Sequence, residues 1–592
     1  METQKLRPLD KQKLYDLIRT ARGEIEADIY IQGGTVINVY SGELIKANVA
    51  IKGRHIAYVG DGDAMVGDGT RVLDAAGMYL CPGYIEPHAH PFQTYNPITL
   101  VENVMTRGTT TLICDNLFFF MLMDEDRLMH LWRELAELQV KLLWSIRLDP
   151  QTYSRARMTR FAPEGIKQLL DTPLSRQVGE LTDWPSLVNG HVQMLENILA
   201  AGHLGKRVEG HAPGASMQTL NMLAAGGVSA CHESITGEEA LRRLRLGIYA
   251  TLRHSSLRPD LPGLIKDLLS SGVDLRRTMV TTDGVTPPSM GQGFTDHILR
   301  VAMQAGLPPM DAYRMATINP AVYYGLDDEL GGIAPGRLAD VLFLTEPTNP
   351  TPVKVLAEGA LVAEQSRPLV KFPEPRWQDY NITAVSGSTD GIIPHDLVPA
   401  ARTGAFPVMQ LVNPVITRRQ DMVLPAQDSL VDITGKRGLL YATLLDRKGS
   451  WVCSGILGGF ADDLAGLACS NTITGDILAL GRSPGEMLLA VKRMFEMGGG
   501  VVLVEKHRVI YELPLPLGGI MSPAPVDQLI EECSTLYALL AERGHTHYDL
   551  LYTLLFLSAT HLPELRLSPA GILSVKDKKI LVPVKYTGKR PV

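Results

Sequence analysis

The stretch PGYIEPHAHP, residues 82–91, decides the fold class that the sequence predicts. A short strand-like run leads into His88 and His90, which are two residues apart. Side chains two apart on a β-strand point to the same side, so both imidazoles can converge on one cation. The carboxyl end of a strand in a (β/α)8 barrel is where active-site residues are expected. The motif therefore predicts a metal site at the mouth of a parallel barrel.

The segment from Tyr84 to about Leu344 alternates between short apolar runs and helical patterns. The runs include TTTLIC, KLLWSI and RTMVTTD, and the helical patterns include DRLMHLWRELAEL and FTDHILRVAMQAG. Strand–helix alternation over this length indicates a parallel α/β domain and suits a (β/α)8 barrel. A doubly wound sheet is the structural alternative. Because no G-x-G-x-x-G follows a first strand, the nucleotide-binding version of that alternative has little support.

Two further regions flank this segment. From Asp28 the chain shows short β-rich runs separated by turns, and GRLADVLFL and VKVLAEGALVAE read as later strands that could rejoin them. We therefore predict an α/β fold, in which a TIM-like (β/α)8 barrel is flanked by a small β-sandwich and followed by a C-terminal α/β domain. The predicted units are an N-terminal helix at 1–27, the sandwich at 28–82 plus 335–365, the barrel at 83–334, a linker at 366–399 and the C-terminal domain at 400–592.

The bulk properties of the chain argue against several functional classes. The 592 residues carry a net charge of −7, whereas nucleic-acid binding favours a basic surface. No apolar run approaches the roughly 20 residues of a bilayer span, and the charged start METQKLRPLDKQKLYDLIRTARGE has no secretory core. Six scattered cysteines fit reduced thiols. We expect a cytoplasmic homo-oligomer that binds a small-molecule substrate but neither nucleic acid nor membrane.

Three further strand-like runs end in residues that bind metals. They are RVEGHAPG with His211, GGVSACHES with His232 and RTMVTTDG with Asp283. Any one of these side chains could be structural, because a buried histidine forms hydrogen bonds and an aspartate before glycine is common in turns. Strand ends that deliver several imidazoles and a carboxylate in series predict a metal centre, which suits zinc, iron or manganese.

With these motifs the chain resembles the amidohydrolase superfamily, and within it the bacterial adenine deaminase family. The stretch RQVGELTDWPSLVNG, which contains Glu180, is similar to the family's G-E-x-x-[ND]-x-P motif. Further similar stretches are GEEALRRLRLGIYATLR, MATINPA, MGGGVVLV and LPLPLGGIMS, so the resemblance covers nearly the whole chain.

The resemblance implies a hydrolytic deaminase that converts adenine and water to hypoxanthine and ammonia. The implied metal ligands are His88, His90, Glu180, His211, His232 and Asp283, with one or two divalent ions of manganese, iron or zinc and no organic cofactor. Glu180 would bridge two metals. Asp283 would ligate metal and also take a proton from the attacking water. A second group should donate a proton to the substrate ring, and Glu233 and His254 are the candidates.

Several stretches depart from the family pattern while the implied ligands are retained. The family's C-terminal His-Asp-Ser-His-Asn is absent, and CSNTITGD stands in that region. Three stretches near the expected pocket also differ, with Phe92-Gln93-Thr94 in place of Glu-Ser-Ser, Asp115-Asn116-Leu117-Phe118 in place of Asp-Pro-His-Glu, and Arg253-His254-Ser255-Ser256 in place of Arg-Glu-Gly-Ser. These changes predict an altered substrate pocket around the same reaction.

Two alternatives remain open at this point. One is hydrolysis of another cyclic amide or amidine, as in dihydroorotases and hydantoinases, which generally bridge their metals with a lysine carbamate. The other is a degenerate barrel without catalytic activity. The Glu180 stretch argues against the first alternative, and the complete ligand set argues against the second.

Overall fold

The computed structural model describes residues 5–152 and 159–587 of the chain. At its centre lies an eight-stranded parallel sheet in which each strand is hydrogen-bonded to the one before it in sequence. The strands are Tyr84–Ala89, Thr109–Asp115, Lys141–Ile146, Ser175–Leu181, Arg207–Gly210, Ala230–Cys231, Tyr249–Arg253 and Thr278–Thr281. The first and last strands are in contact, and the Thr281 hydroxyl donates to Glu86 at 2.5 Å. The predicted barrel is confirmed.

The helix Glu125–Leu135 illustrates why the segments between the strands become helical. The Asp124 side chain caps its first turn by accepting a hydrogen bond from the backbone N–H of Arg127 at 2.9 Å. Its buried face repeats at helical spacing through Leu128, Leu131, Trp132 and Leu135. The other helices of the barrel region are Pro97–Val104, Leu117–Leu122, Pro163–Leu170, Trp184–Val188, Val192–His203, Met217–Ala225, Gly237–Arg245, Leu261–Ser271, Pro287–Met290, Thr295–Gln304, Pro309–Met315 and Ile318–Tyr324.

Two small sheets before and after the barrel pack into a sandwich. The first contains His55–Gly60, Asn48–Lys52, Ile29–Gln32 and Arg71–Asp74 in that order. The second contains Arg367–Pro368, Ala360–Glu364, Lys354–Ala357, Val341–Leu344, Tyr79–Pro82, Thr35–Asn38 and Glu43–Lys46. Ile31 and Val49 of one sheet share a buried core with Leu80 and Phe343 of the other. The strands after the barrel therefore do rejoin the N-terminal ones.

The N-terminal helix is shorter than the sequence pattern indicates. It spans Lys11–Ala21 because the Asp10 side chain caps its first turn, accepting from the Lys13 N–H at 2.8 Å. Residues 1–4 of the predicted helix lie outside the described residues. In the part of the chain that the structure describes, no helix combines the length and the apolar character needed to cross a bilayer.

The C-terminal region is built on a large sheet of its own. Its strands are Thr417–Met422, Phe406–Leu411, Trp451–Gly458, Leu439–Leu445, Ile477–Gly481, Gly466–Cys469, Gly500–Glu505 and Arg508–Pro514, with Lys585–Tyr586 beside Trp451–Gly458. Smaller sheets comprise Leu565–Ser568, Gly571–Ser574 and Lys579–Pro583, and Ala426–Gln427 with Leu430–Val431. The helices are Pro484–Met497, Val526–Glu542 and Leu550–Phe556.

Long-range hydrogen bonds hold this region against the carboxyl end of the barrel. The Asn96 amide donates to the backbone carbonyl of Ser522 at 3.0 Å, and the Tyr552 hydroxyl donates to the carbonyl of Gly284 at 2.6 Å. The predicted linker is packed rather than free, because Phe372 and Trp377 are buried. The C-terminal region thus lies over the end of the barrel where the candidate ligands are found. The exact domain boundaries stay predictions.

Candidate metal centre and substrate cavity

Six side chains at the carboxyl ends of five barrel strands form one buried cluster. These are the six ligands that the sequence predicts, namely His88, His90, Glu180, His211, His232 and Asp283. The Nε2 atoms of His88 and His90 lie 3.2 Å apart, and each lies 3.2 Å from Oδ1 of Asp283. The Nδ1 atom of His211 lies 2.7 Å from Oε1 of Glu180. Strands far apart in sequence therefore deliver these groups to one point.

Hydrogen bonds fix which ring nitrogens of the first two imidazoles carry the proton. Nδ1 of His88 lies 2.8 Å from Oε2 of Glu209, and Nδ1 of His90 lies 2.9 Å from Oδ2 of Asp115. A carboxylate accepts hydrogen bonds, so each Nδ1 donates, and in the neutral imidazole each Nε2 then keeps its lone pair. The two Nε2 lone pairs then face each other and the Asp283 carboxylate. This arrangement of acceptors without a donor fits a bound cation.

A second group of ligand atoms adjoins the first. Nδ1 of His232 donates to Oε1 of Glu209 at 3.0 Å, which leaves its Nε2 atom 3.1 Å from Nδ1 of His211. Ligand atoms of His211, His232 and Glu233 lie within 4.8 Å of one another, as do those of His88, Glu180, His232 and Asp283. Mixed imidazole and carboxylate ligands suit divalent transition metals. The residues present therefore fit a divalent metal centre.

The charge balance of the cluster leads to the same conclusion. Five buried carboxylates contact the imidazoles, and three arginines contact these carboxylates. The carboxylates are Asp115, Glu180, Glu209, Glu233 and Asp283, and the arginines are Arg147, Arg253 and Arg258. A buried excess of negative charge is costly unless a cation compensates it. A divalent ion would neutralise the difference.

Asp283 is positioned by its backbone and by one arginine. Its φ of 45° is left-handed, which aspartate tolerates better than most residues, and Gly284 follows at φ 67°. A Cβ atom on Gly284 would lie 2.6 Å from Cδ2 of His90, so glycine is required there. Nη1 of Arg253 lies 2.5 Å from Oδ2 of Asp283. Burial opposes ionisation, but Arg253 and the neighbouring imidazoles hold the pKa of this carboxyl well below its usual range.

Glu180 and Asp115 are joined by the guanidinium of Arg147. Its Nη2 atom donates to Oε2 of Glu180 at 3.0 Å and to Oδ2 of Asp115 at 2.8 Å. Burial would raise the pKa of both carboxyls, yet the Arg147 charge and the adjacent imidazoles lower the pKa of each. Both groups are therefore held as anions.

The sequence interpretation missed three residues of the site, which are Glu209, Arg147 and Arg253. Glu209 lies on the strand Arg207–Gly210, two residues before His211, which directly follows that strand, so the two-residue period was the signal that could have identified it. Burial raises its pKa, but His88 and His232 outweigh that effect and lower it to about 2. Arg147 directly follows one barrel strand and Arg253 ends another, and the carboxyl ends of barrel strands are where active-site residues lie.

The two candidate proton donors have different surroundings. Glu233 lines the same cavity as the cluster and contacts Arg253 at 2.6 Å and also Arg258, and despite burial these charges and His211 lower its pKa to about 2. His254 lines a neighbouring cavity beside His297, and burial lowers its pKa to about 4. His254 therefore lies outside the wall of the cavity that holds the cluster.

The cluster opens into a cavity of about 280 Å³. Its barrel side carries four of the candidate ligands, His90, Glu180, His211 and Asp283, together with Phe92, Gln93, Phe118 and Arg147. Its opposite side comes from the C-terminal region and is mostly apolar, being lined by Asn413, Val415, Ile416, Ile473, Tyr548, Tyr552, Leu555, Phe556, His561 and Leu562. Such a small, largely apolar space with a few polar groups suits a small heterocyclic ligand.

Comparisons with known proteins agree over the full length of the chain. Residues 79–363 match the amidohydrolase family, and residues 414–579 match the adenine deaminase C-terminal domain. A protein of Halalkalibacterium halodurans named "putative adenine deaminase" is 38% identical over 97% of this chain and 98% of its own. One of the same designation from Bacillus subtilis is 38% identical over 94% of this chain and 95% of its own. The adenine deaminase of Moorella thermoacetica is 32% identical over 96% of this chain and 97% of its own.

Proposed function

Because this chain belongs to the adenine deaminase family of the amidohydrolases, we propose that it hydrolyses adenine to hypoxanthine and ammonia. The family that the sequence resembles is thereby confirmed. One observation carries the proposal: a cluster of imidazoles and carboxylates, with the Nε2 atoms of His88 and His90 turned toward each other, forms one side of a cavity that suits a small heterocycle. The homo-oligomeric state and the cytoplasmic location stay predictions.

The six clustered side chains would hold one or two divalent ions, for which manganese, iron and zinc are the candidates. Glu180 lies between the two groups of ligand atoms, with Oε2 near His88 at 3.4 Å and Oε1 near His211 at 2.7 Å, which supports a bridging role. When bound, a divalent cation supplies Lewis acidity, which makes water acidic enough to attack near neutral pH.

Asp283 is the residue that we assign to proton transfer. Its Oδ1 atom faces the imidazoles, while Oδ2 is turned toward Arg253, which orients it. In the proposed reaction the water oxygen attacks C6 of the purine, the electron pair of the C6–N1 double bond moves to N1, and one water proton goes to this carboxylate. The carboxyl then passes that proton to the exocyclic nitrogen while the N1 pair re-forms the double bond and the bond from C6 to the exocyclic nitrogen breaks. Ammonia leaves, and the 6-hydroxy tautomer of hypoxanthine remains. Asp283 thus serves both half-reactions.

Glu233 and the C-terminal wall would support this chemistry in other ways. Two arginine contacts favour Glu233 as an anion, so we assign it to the second ligand group rather than to proton donation. The apolar wall would exclude bulk water and so strengthen electrostatic interactions inside the cavity. The cyclic-amide alternative would require a lysine between the two ligand groups, to be carbamylated. Glu180 stands at that position instead.

The proposal is tested by following adenine absorbance and ammonia release with protein loaded with manganese, iron or zinc. We expect conversion of adenine to hypoxanthine. If ammonia is released from another heterocycle but not from adenine, the reaction class stands and adenine is discarded as the substrate.

Asp283→Asn tests the assignment of proton transfer. Since Asp283 acts twice, the variant should lower kcat by more than the roughly 10²–10⁴-fold of a single acid–base group. Retention of most of the rate by a variant that still binds metal would contradict the assignment.

A further inference from the structure

Gln93 combines burial with an amide that lacks a protein partner. Its side chain is only 5% exposed and lines the cavity. Among residues 5–152 and 159–587, no group forms a hydrogen bond with its side-chain oxygen or nitrogen. An amide that stays unpaired at a cavity wall is available to a ligand, and a ligand that excludes water without pairing with it would cost about 1–3 kcal/mol.

The backbone around Gln93 is held from both sides of the cavity. Its carbonyl accepts a hydrogen bond from the Thr94 hydroxyl at 2.5 Å, and Thr94 has a left-handed φ of 71°. The Thr94 carbonyl accepts from the backbone N–H of Ser522 at 2.7 Å, and the Asn96 amide donates to the Ser522 carbonyl. The C-terminal region therefore fixes the segment that carries this amide. A preorganised group of this kind can select among ligands.

Several other polar groups of the cavity wall are already occupied. Arg147 and Arg258 pair with carboxylates, and Oδ1 of Asn413 accepts from the backbone N–H groups of Val415 and Ile416. By contrast, two glutamines of the wall, Gln151 and Gln93, each offer a donor beside an acceptor that no described group satisfies, and Gln93 is the nearer of the two to a candidate ligand in sequence. It lies three residues beyond His90, so whatever it holds adjoins the reaction centre.

We propose that the Gln93 amide recognises the edge of a 6-aminopurine that carries N7 and the 6-amino group, an inference that rests on the proposed function. This edge presents an acceptor, N7, next to a donor, the amino group, which is the pattern that a glutamine amide complements. Nε2 of Gln93 donates to N7, and Oε1 accepts from the amino group. The contact turns C6 toward the ligand cluster. Gln93 is thus a specificity-determining residue of the reaction.

The test compares adenine with 7-deazaadenine, in which a C–H group replaces N7, in the metal-loaded wild type and in Gln93→Met. Methionine has a similar length but neither donates nor accepts strongly. The wild type should prefer adenine in kcat/KM, and in Gln93→Met that preference should shrink by roughly 5- to 150-fold, the range expected when 7-deazaadenine leaves the Gln93 donor unpaired in the wild type. Intrinsic reactivity differences between the two substrates cancel, because the same pair is compared in both proteins.

Gln151→Met is the matched comparison, since Gln151 is a second buried glutamine of the cavity wall whose side-chain amide has no partner among the described residues and is therefore the competing candidate for this contact. It should leave the adenine preference unchanged, and metal content should be the same in all three proteins. An adenine preference that survives in Gln93→Met, while the wild type deaminates adenine, would overturn the role of Gln93 alone. Absence of adenine turnover by the metal-loaded wild type would overturn the proposed function together with this inference.

Discussion

The two walls of the cavity differ in both chemistry and support. The barrel wall carries a cluster of ionisable groups that bind one another, as when Glu209 holds His88 and His232 at once. The C-terminal wall presents mainly apolar side chains and is attached by single hydrogen bonds, such as Thr560 N–H to the Gln151 carbonyl at 3.1 Å. Rigid strand ends thus carry the groups for chemistry, while a separate surface shapes the space for the substrate.

This contrast indicates how substitutions on each side should act. A group removed from the barrel wall leaves its buried partners with unpaired charge, which is costly and spreads through the cluster. A side chain removed from the C-terminal wall leaves the cluster intact and changes only contacts with the ligand. We therefore expect the first kind of substitution to affect metal binding and the second kind to affect KM.

The largest contrast should appear between two histidine substitutions on opposite walls. His88→Ala removes the imidazole whose Nε2 faces His90 and Asp283, so it should lose at least one metal ion and abolish turnover. His561→Ala removes an imidazole of the C-terminal wall and should keep the metal content of the wild type. Elemental analysis of the purified proteins measures both. Equal metal loss in the two variants, or full metal content in His88→Ala, would contradict the division between the walls.

The barrel wall was largely predictable from the sequence because its signals are local. His88, His211 and His232 each stand at the end of a short apolar run, and such runs can be identified from the sequence alone. Glu209 carries an equally local signal, which is its spacing of two residues from His211. The fold class followed from the same alternation of runs.

The C-terminal wall was not predictable in the same way. His561 reaches the cluster, with its ring 6.2 Å from that of His211, although 350 residues separate them in the chain. Ile473, within the stretch CSNTITGD, lines the cavity through an apolar side chain, which carries no chemical signal of its own. Such positions are set by packing between distant segments, for which a single sequence carries no periodic pattern.

A smaller effect, on stability, should come from Asp549, which supports the C-terminal wall. Its side chain caps the helix Leu550–Phe556, accepting from the Tyr552 N–H at 3.2 Å, and burial raises its pKa to about 6. The unfolded value is about 3.9. Because the folded value is higher, its stabilising contribution is complete below about pH 4 and is lost as pH rises through 6.

Asp549→Asn removes this titration while keeping a good capping residue. Relative to the wild type, the free energy of unfolding of the variant should rise by up to about 3 kcal/mol between pH 4 and pH 7, measured by denaturant unfolding of the metal-loaded proteins. Other titrating groups are common to both proteins and cancel. A difference that does not change with pH would show that the Asp549 carboxyl is not held neutral by burial.

The smallest effect, and the sharpest test of the contrast between the walls, concerns Phe556. Its ring stacks on Tyr552 with centroids 5.3 Å apart, lies edge-on to His561 at 5.9 Å and lines the cavity. Phe556→Ala should raise KM roughly two- to tenfold, the range of one aromatic contact. The change should leave metal content equal to that of the wild type, and kcat nearly so, because the Phe556 ring packs against Tyr552 and His561 and belongs to none of the candidate ligand sets. Phe556→Tyr keeps an aromatic face and should restore the wild-type KM.

A fall in kcat with unchanged KM in Phe556→Ala would mean that the C-terminal wall takes part in the chemical step rather than in shaping the space for the substrate.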